Sequence, residues 1–309
     1  MKVVTCFSYK GGSGRTVAAA NIAAALASIR KVASIEEPLG FKVALFDLDV
    51  FSAGTHRVFD ISNTAIQRKD SSIQDYLLSQ ITPADQVQKG GITLADDIMS
   101  GFKNRRGAKD NCREDFTLFH AKPEPDRRFN VAKYHENLLL ELILELESQG
   151  FDYVIIDGEA GIRAMADIAI RLSDVVLMLF RLTWQHIEGT LNVARDYQKQ
   201  ERSPAIYLVP TCVPLVNAED KVYYEDAPGL MQLRMQTKQL PEESELNEFA
   251  QQTKSMMGHF WSSGVCIHDS LILKGGERIL VYDAGITGDR AASDYYQIAR
   301  ELSKLHTPR

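Results

Sequence analysis

SYKGGSGRT, residues 8–16, stands between a short apolar run, VVTCF (3–7), and an alanine-rich stretch with helical spacing, TVAAANIAAALASI (16–29). Strand, glycine-rich turn and helix in that order form the context in which a backbone can cradle phosphate. Gly11, Gly12 and Gly14 allow a tight turn that points successive N–H groups inward, and the helix that follows adds the positive end of its dipole. Thr16 stands where its hydroxyl can reach a magnesium ion held by those phosphates. Two cations bracket the glycines: Lys10 before them and Arg15 after them.

The rest of the chain repeats the same rhythm. KVALFDL (42–48), DYVIIDG (152–158), DVVLMLF (174–180) and AIYLVP (205–210) are apolar on both faces, as buried strands are. YHENLLLELILELESQG (134–150), WQHIEGTLNVARDYQKQ (184–200) and ASDYYQIARELSKL (292–305) carry apolar residues at helical spacing. Alternation of this kind predicts an α/β fold, a mostly parallel, doubly wound sheet with helices on both faces. The spacing gives a single domain over 1–309 with two insertions. One, near 96–130, is charged around a candidate strand, FTLFHA (116–121); the other, 214–262, is polar with a helix predicted over 241–258.

Acidic residues end two of the strands. Asp47 and Asp49 close KVALFDLD two residues apart, so both can face the same side of the sheet. Paired acids at a strand end are also common as solvated turn residues. Asp157 closes DYVIID, where a lone carboxylate is costly without a cation or hydrogen-bond donors. A cap on a helix over 162–171 is the alternative for Asp157.

KGGSGRT resembles the deviant Walker A phosphate loop, KGGxGK[ST], of the ParA/MinD family of P-loop ATPases, in the variant form KGGxGR. DLD resembles that family's second motif, and DYVIIDGEAG its metal-binding strand and switch segment, with Glu159–Ala160 in place of a proline-containing pair. The resemblance implies ATP and Mg2+ as cofactors. It implies that Gly11, Gly12, Ser13, Gly14, Arg15, Thr16 and Val17 hold phosphate, and that Gly161 is the switch glycine. Thr16, Asp157 and Asp47 would form the metal shell, Asp47 alternatively holding the loop; Asp49 would orient the attacking water, and Lys10 would reach a partner subunit's nucleotide. At the base-reading position of AIYLVPTCV, where the family places an asparagine, Thr211 and Cys212 stand instead. DSLILKGGERILVYDAGITGDRAASDYYQIAREL (269–302) resembles the family's closing strands and helix, and about two thirds of the chain is covered in all.

The implied function is an ATP-dependent dimerisation switch: slow, Mg-dependent ATP hydrolysis by a homodimer, controlling a protein partner or cargo that meets the insertions. The alternative is a module that binds ATP without turnover and recruits a partner in a signalling or defence system. A bacterial tyrosine kinase fits less well, because Tyr295–Tyr296 lies inside an amphipathic helix rather than a tyrosine-rich tail. Composition narrows the remaining classes. A net charge of −6 does not call for nucleic acid, though a local basic patch is compatible with it. The four cysteines form no CxxC pair and the seven histidines no close pair, so disulfide, zinc and iron–sulfur frameworks are unsupported. No apolar run reaches the 18 residues of a membrane span, the opening run is too short for a secretory signal, and SKLHTPR supplies little apolar area for a membrane anchor, so the expected location is the cytoplasm.

Overall fold

The structure is a computed structural model that describes residues 1–29, 41–59, 61, 72–78, 81–93, 116–124, 129–181, 183–212, 267 and 290–305. Seven strands form one sheet: β1 (Lys2–Phe7), β2 (Val43–Asp47), β3 (Gly91–Thr93), β4 (Phe116–Phe119), β5 (Tyr153–Asp157), β6 (Val175–Arg181) and β7 (Ala205–Thr211). Their order is β3-β4-β2-β5-β1-β6-β7. All pairings are parallel except β3 with β4 at the edge. The helices are α1 (Arg15–Ser28), α2 (Thr55–Val58), α3 (Ile73–Leu77), α4 (Tyr134–Ser148), α5 (Ala164–Leu172), α6 (Trp184–Gln198) and α7 (Arg290–Lys304), with short helical turns over Pro83–Asp85 and Gln86–Gly90.

Strand alternation decides which side chains meet which helix. Cys6, Leu45, Ile155 and Leu177 point to the face covered by α1 and α7, where Ala19, Ala23, Leu26, Ile298 and Leu302 pack. Their neighbours Ala44, Phe46, Val154 and Ile156 point to the other face, under α3, α4 and α5. Phe7, Val176, Met178 and Leu208 meet α6 on that side. Helix α1 is buried almost all round, and its run of alanines, Ala18–Ala20 and Ala23–Ala25, lets its backbone lie close to the sheet. Tyr295 is buried in the α1–α7 layer, as a core tyrosine should be.

Phe116–Phe119, the strand expected inside the 96–130 segment, is an inner strand held parallel to β2. The expected helix over 241–258, the rest of the 214–262 segment and the strands expected after residue 269 lie outside the described residues. From β1 the chain crosses over α1 to β2 on one side, and from β5 it crosses over α5 to β6 on the other. Reversal of this kind opens a crevice at the carboxyl ends of the central strands. The loop at 8–14 and all three strand-end aspartates lie at those ends.

Ile155 sits fully buried in the central strand under α1. Ile155→Ala should therefore cost about 2–5 kcal/mol in urea denaturation; a loss under about 1 kcal/mol would show that this layer is loosely packed.

Candidate functional site: the phosphate loop and three strand-end aspartates

The loop leaves β1 at Ser8 and enters α1 at Arg15. Gly12 (φ 80°) and Gly14 (φ 74°) adopt the left-handed conformation that a Cβ disfavours, which explains glycine at these two positions. Gly14 caps α1 through its backbone only, accepting from Ala18 N at 2.9 Å with no side-chain cap. The first-turn N–H groups of Arg15, Thr16 and Val17 thus open the helix as an anion-binding end. Ser13 is buried and its hydroxyl donates to the Lys10 carbonyl at 3.4 Å, closing the loop on itself.

Register brings the acids together. Asp47 and Asp157 are direct partners across β2 and β5, and Cys6 is the partner of Asp157 across β1. By alternation both carboxylates share the face of Leu45 and Ile155, the face on which α1 lies. Arg15, the first residue of α1 and only 8% exposed, fills the space between acids. Its Nε donates to Asp157 Oδ1 at 3.0 Å, its Nη2 to Asp49 Oδ2 at 2.8 Å and its Nη1 to Ser8 Oγ at 3.3 Å. Burial disfavours its charge, but Asp157, Asp49 and Asp47 outweigh that effect and hold the guanidinium above its ordinary pKa.

Thr55 completes the cluster. Its hydroxyl donates to Asp157 Oδ2 at 2.9 Å, while its N–H and that of Gly54 donate to Asp47 Oδ2 at 3.2 and 3.3 Å. Asp47 Oδ1 is buried with no hydrogen-bond partner. Burial, reinforced by the charge of Asp157, pushes the Asp47 carboxyl up to about 8. Asp49 is also raised by burial, with Arg15 pulling it the other way. The alternative role of Asp157 as a helix cap does not hold: α5 begins at Ala164, its N-cap is Arg163, and no side chain caps it.

The remaining site residues are distributed around this centre. Gly161, left-handed at φ 84°, donates its N–H to the Ser8 carbonyl at 2.9 Å and so ties the segment after β5 to the start of the loop. In that segment Glu159 is buried and paired with Arg163 at 2.6 Å. Lys10 donates to Gln185 Oε1 at 2.6 Å on the first turn of α6. A Cβ added at Gly189 would lie 2.1 Å from the Tyr9 ring, so α6 needs glycine there to receive the loop. Thr16 is half-buried on the first turn of α1. Thr211 commits its hydroxyl to the Phe180 carbonyl at 3.2 Å, and Cys212 follows with φ 52°.

Sequence reasoning finds the loop, Arg15 and the three aspartates but misses Ser8, Thr55, Gln185 and Gly189. Thr55 follows the acids by a few residues, a hydroxyl in a turn beside carboxylates, and this is the one signal that could have marked it. Among the described residues no group of three or more His, Cys, Asp or Glu side chains is arranged to hold a metal by itself.

No family model matches the sequence, and no curated protein does. Solved structures do. The septum site-determining protein MinD of Pyrococcus horikoshii, complexed with Mg-ADP, is 16% identical with a TM-score of 0.60 over 98% of this chain and 96% of that one. The chain adopts the MinD fold. MinD in the MinC:MinD complex of Aquifex aeolicus gives 16% and 0.61 over 100% and 98%. McdA of Cyanothece in its ATP complex gives 13% and 0.61, again over 100% and 98%.

The raised Asp47 carboxyl has a measurable consequence. Folded, it keeps its proton up to about pH 8; unfolded, it ionises near 3.8, so the unfolded chain binds fewer protons between these values. Its contribution to stability is fully present below pH 3.8 and is lost as pH rises through about 8. Asp47→Asn should remove that slope from urea midpoints measured between pH 5 and pH 8 in chelating buffer without nucleotide. Parallel wild-type and variant curves would show that Asp47 is ionised throughout.

Proposed function

We propose that this chain is an ATP-dependent dimerisation switch of the ParA/MinD type, an ATPase whose slow, Mg-dependent hydrolysis controls a protein partner. The observation that carries the reading is the register-matched pair Asp47–Asp157 lying under a helix whose first turn and left-handed glycine loop form an anion-binding end. Fold neighbours bound to Mg-ADP and to ATP support the choice of nucleotide. The MinC complex supports a protein partner, which the segments at 96–130 and 214–262 would meet. Among the described residues no helix is long and apolar enough to cross a membrane, and the cytoplasm is the location we infer.

In this reading the N–H groups of Gly11 through Val17 bind the phosphates. Magnesium takes oxygen donors, commonly one or two carboxylates together with phosphate oxygens and water. The donors present fit it: the Thr16 hydroxyl, Asp157, and the unpartnered Oδ1 of Asp47, whose carboxyl would give up its proton on binding the ion. Bound there, the ion would draw charge from the phosphate oxygens during transfer. Asp49, 14% exposed at the mouth of the cluster, orients the attacking water. Gly161 moves its N–H from the Ser8 carbonyl, which it holds here, to a γ-phosphate. Lys10, held within its own chain by Gln185, releases that contact to reach the nucleotide of a second subunit.

One observation favours the alternative, an ATP-binding module without turnover: Arg15 holds both Asp49 and Asp157. Phosphate release by the purified protein separates the two readings. Asp49→Ala should retain ATP and accumulate dimer while phosphate release falls about a hundredfold or more. A variant hydrolysing at the wild-type rate would assign the water to another group. Lys10→Ala should leave ATP affinity of the monomer nearly intact and lose ATP-induced dimerisation in sedimentation; a dimer persisting in this variant would exclude the trans lysine.

A further inference from the structure

We infer that Arg15 is a latch: its guanidinium holds the water-orienting and metal-side carboxylates until phosphate takes it from them, so that nucleotide binding itself arms the site. The inference rests on the nucleotide-binding reading above and concerns how that same site is regulated. A guanidinium carries five N–H donors in a rigid plane. Here each of its three nitrogens is engaged, two of them by carboxylates at the ends of different strands, Asp157 in β5 and Asp49 just after β2, and the third by Ser8 at the start of the phosphate loop. A lysine ammonium is a point donor and could not span both acids with fixed geometry.

The residue that carries this fork is also the first residue of the helix whose N-terminus closes the loop. Two sets of anions therefore compete for one cation: the carboxylates of Asp49 and Asp157, and phosphate oxygens at the loop. Its side-on pair, Nε–H and Nη2–H, cannot turn to phosphate without releasing the carboxylate that each holds. Releasing Asp49 frees Oδ2 to accept a hydrogen bond from water, and releasing Asp157 frees Oδ1, while Thr55 keeps Oδ2 of Asp157 in place. Asp49 is the weaker hold, being partly exposed where Asp157 is fully buried. Nucleotide affinity is then reduced by the fraction of molecules whose arginine remains on the acids.

The test is a double-mutant cycle on ADP binding, measured by calorimetry in EDTA with wild type, Asp49→Asn, Arg15→Gln and the double variant. Asp49→Asn loosens the latch and should tighten ADP binding by roughly three- to tenfold when Arg15 is present. In the Arg15→Gln background the same change should alter affinity by less than about twofold, as for uncoupled sites. An equal gain in both backgrounds would mean that Asp49 acts by simple repulsion of phosphate, and the latch would be wrong while nucleotide binding stood. Failure of all four proteins to bind ADP, and of the wild type to bind ATP with magnesium, would overturn the nucleotide reading and the latch together. Should Arg15→Gln not fold, the Nε–H resonance of Arg15 in arginine-labelled wild type, assigned by its loss in Arg15→Lys, decides the matter. It should shift with Asp157→Asn before nucleotide is added, and shift on saturation with ADP in wild type. A resonance that ADP saturation leaves unmoved would overturn the latch.

Discussion

Arg15 is a cation buried among acids, and the carboxyl ends of three central strands depend on it. Asp157 is 1% exposed and Asp49 14%, so neither could remain charged there cheaply without a partner. The guanidinium supplies the charge and Ser8 accepts its remaining prong. Buried ion pairs of this kind are weak sources of net stability, because desolvation consumes much of the Coulomb gain, but removing one partner leaves an uncompensated charge and is strongly destabilising. Such a cluster fits a site whose charges are to be rearranged, since replacement by an apolar core would serve stability as well.

Everything else in the fold serves to place this cluster. Parallel pairing puts Asp47 beside Asp157, and alternation turns both toward α1. The alanine-rich α1 lies close enough to the sheet for its first residue to reach them. Around the loop, Gly161, Tyr9 and Lys10 fasten two segments to it: the turn after β5 through Gly161, and α6 through Tyr9 at Gly189 and Lys10 at Gln185. A ligand that moves the loop therefore bears on α5 and α6 as well. That coupling is what the proposed nucleotide switch would use.

The fold was largely legible because its signals are local. Apolar runs bounded by helical stretches give the parallel strands, and SYKGGSGRT carries its own turn chemistry in Gly12 and Gly14. β4 shows where locality fails: the charged surroundings of FTLF make 96–130 read as an insertion, yet its four residues are buried between β2 and β3. The site was legible as a set of residues, less so as a set of contacts. Nothing in KGGSGRT says whether the arginine faces phosphate or carboxylate, since the choice depends on Asp157, 142 positions away. Thr55 and Gln185 escape for the same reason, their partners being 102 and 175 positions distant. The end of β7, where the resemblance expects a base-reading residue, is a further case, because the hydroxyl of Thr211 is already committed to β6.

In the proposed latch one arginine alternates between carboxylates and phosphate. The most direct measurement is a crystal structure of the protein with magnesium and a non-hydrolysable ATP analogue. The Arg15 guanidinium should then lie on phosphate oxygens, with Asp49 released toward the γ-phosphate and Asp157 still held by Thr55. A bound analogue with Arg15 still spanning Asp49 and Asp157 would contradict it.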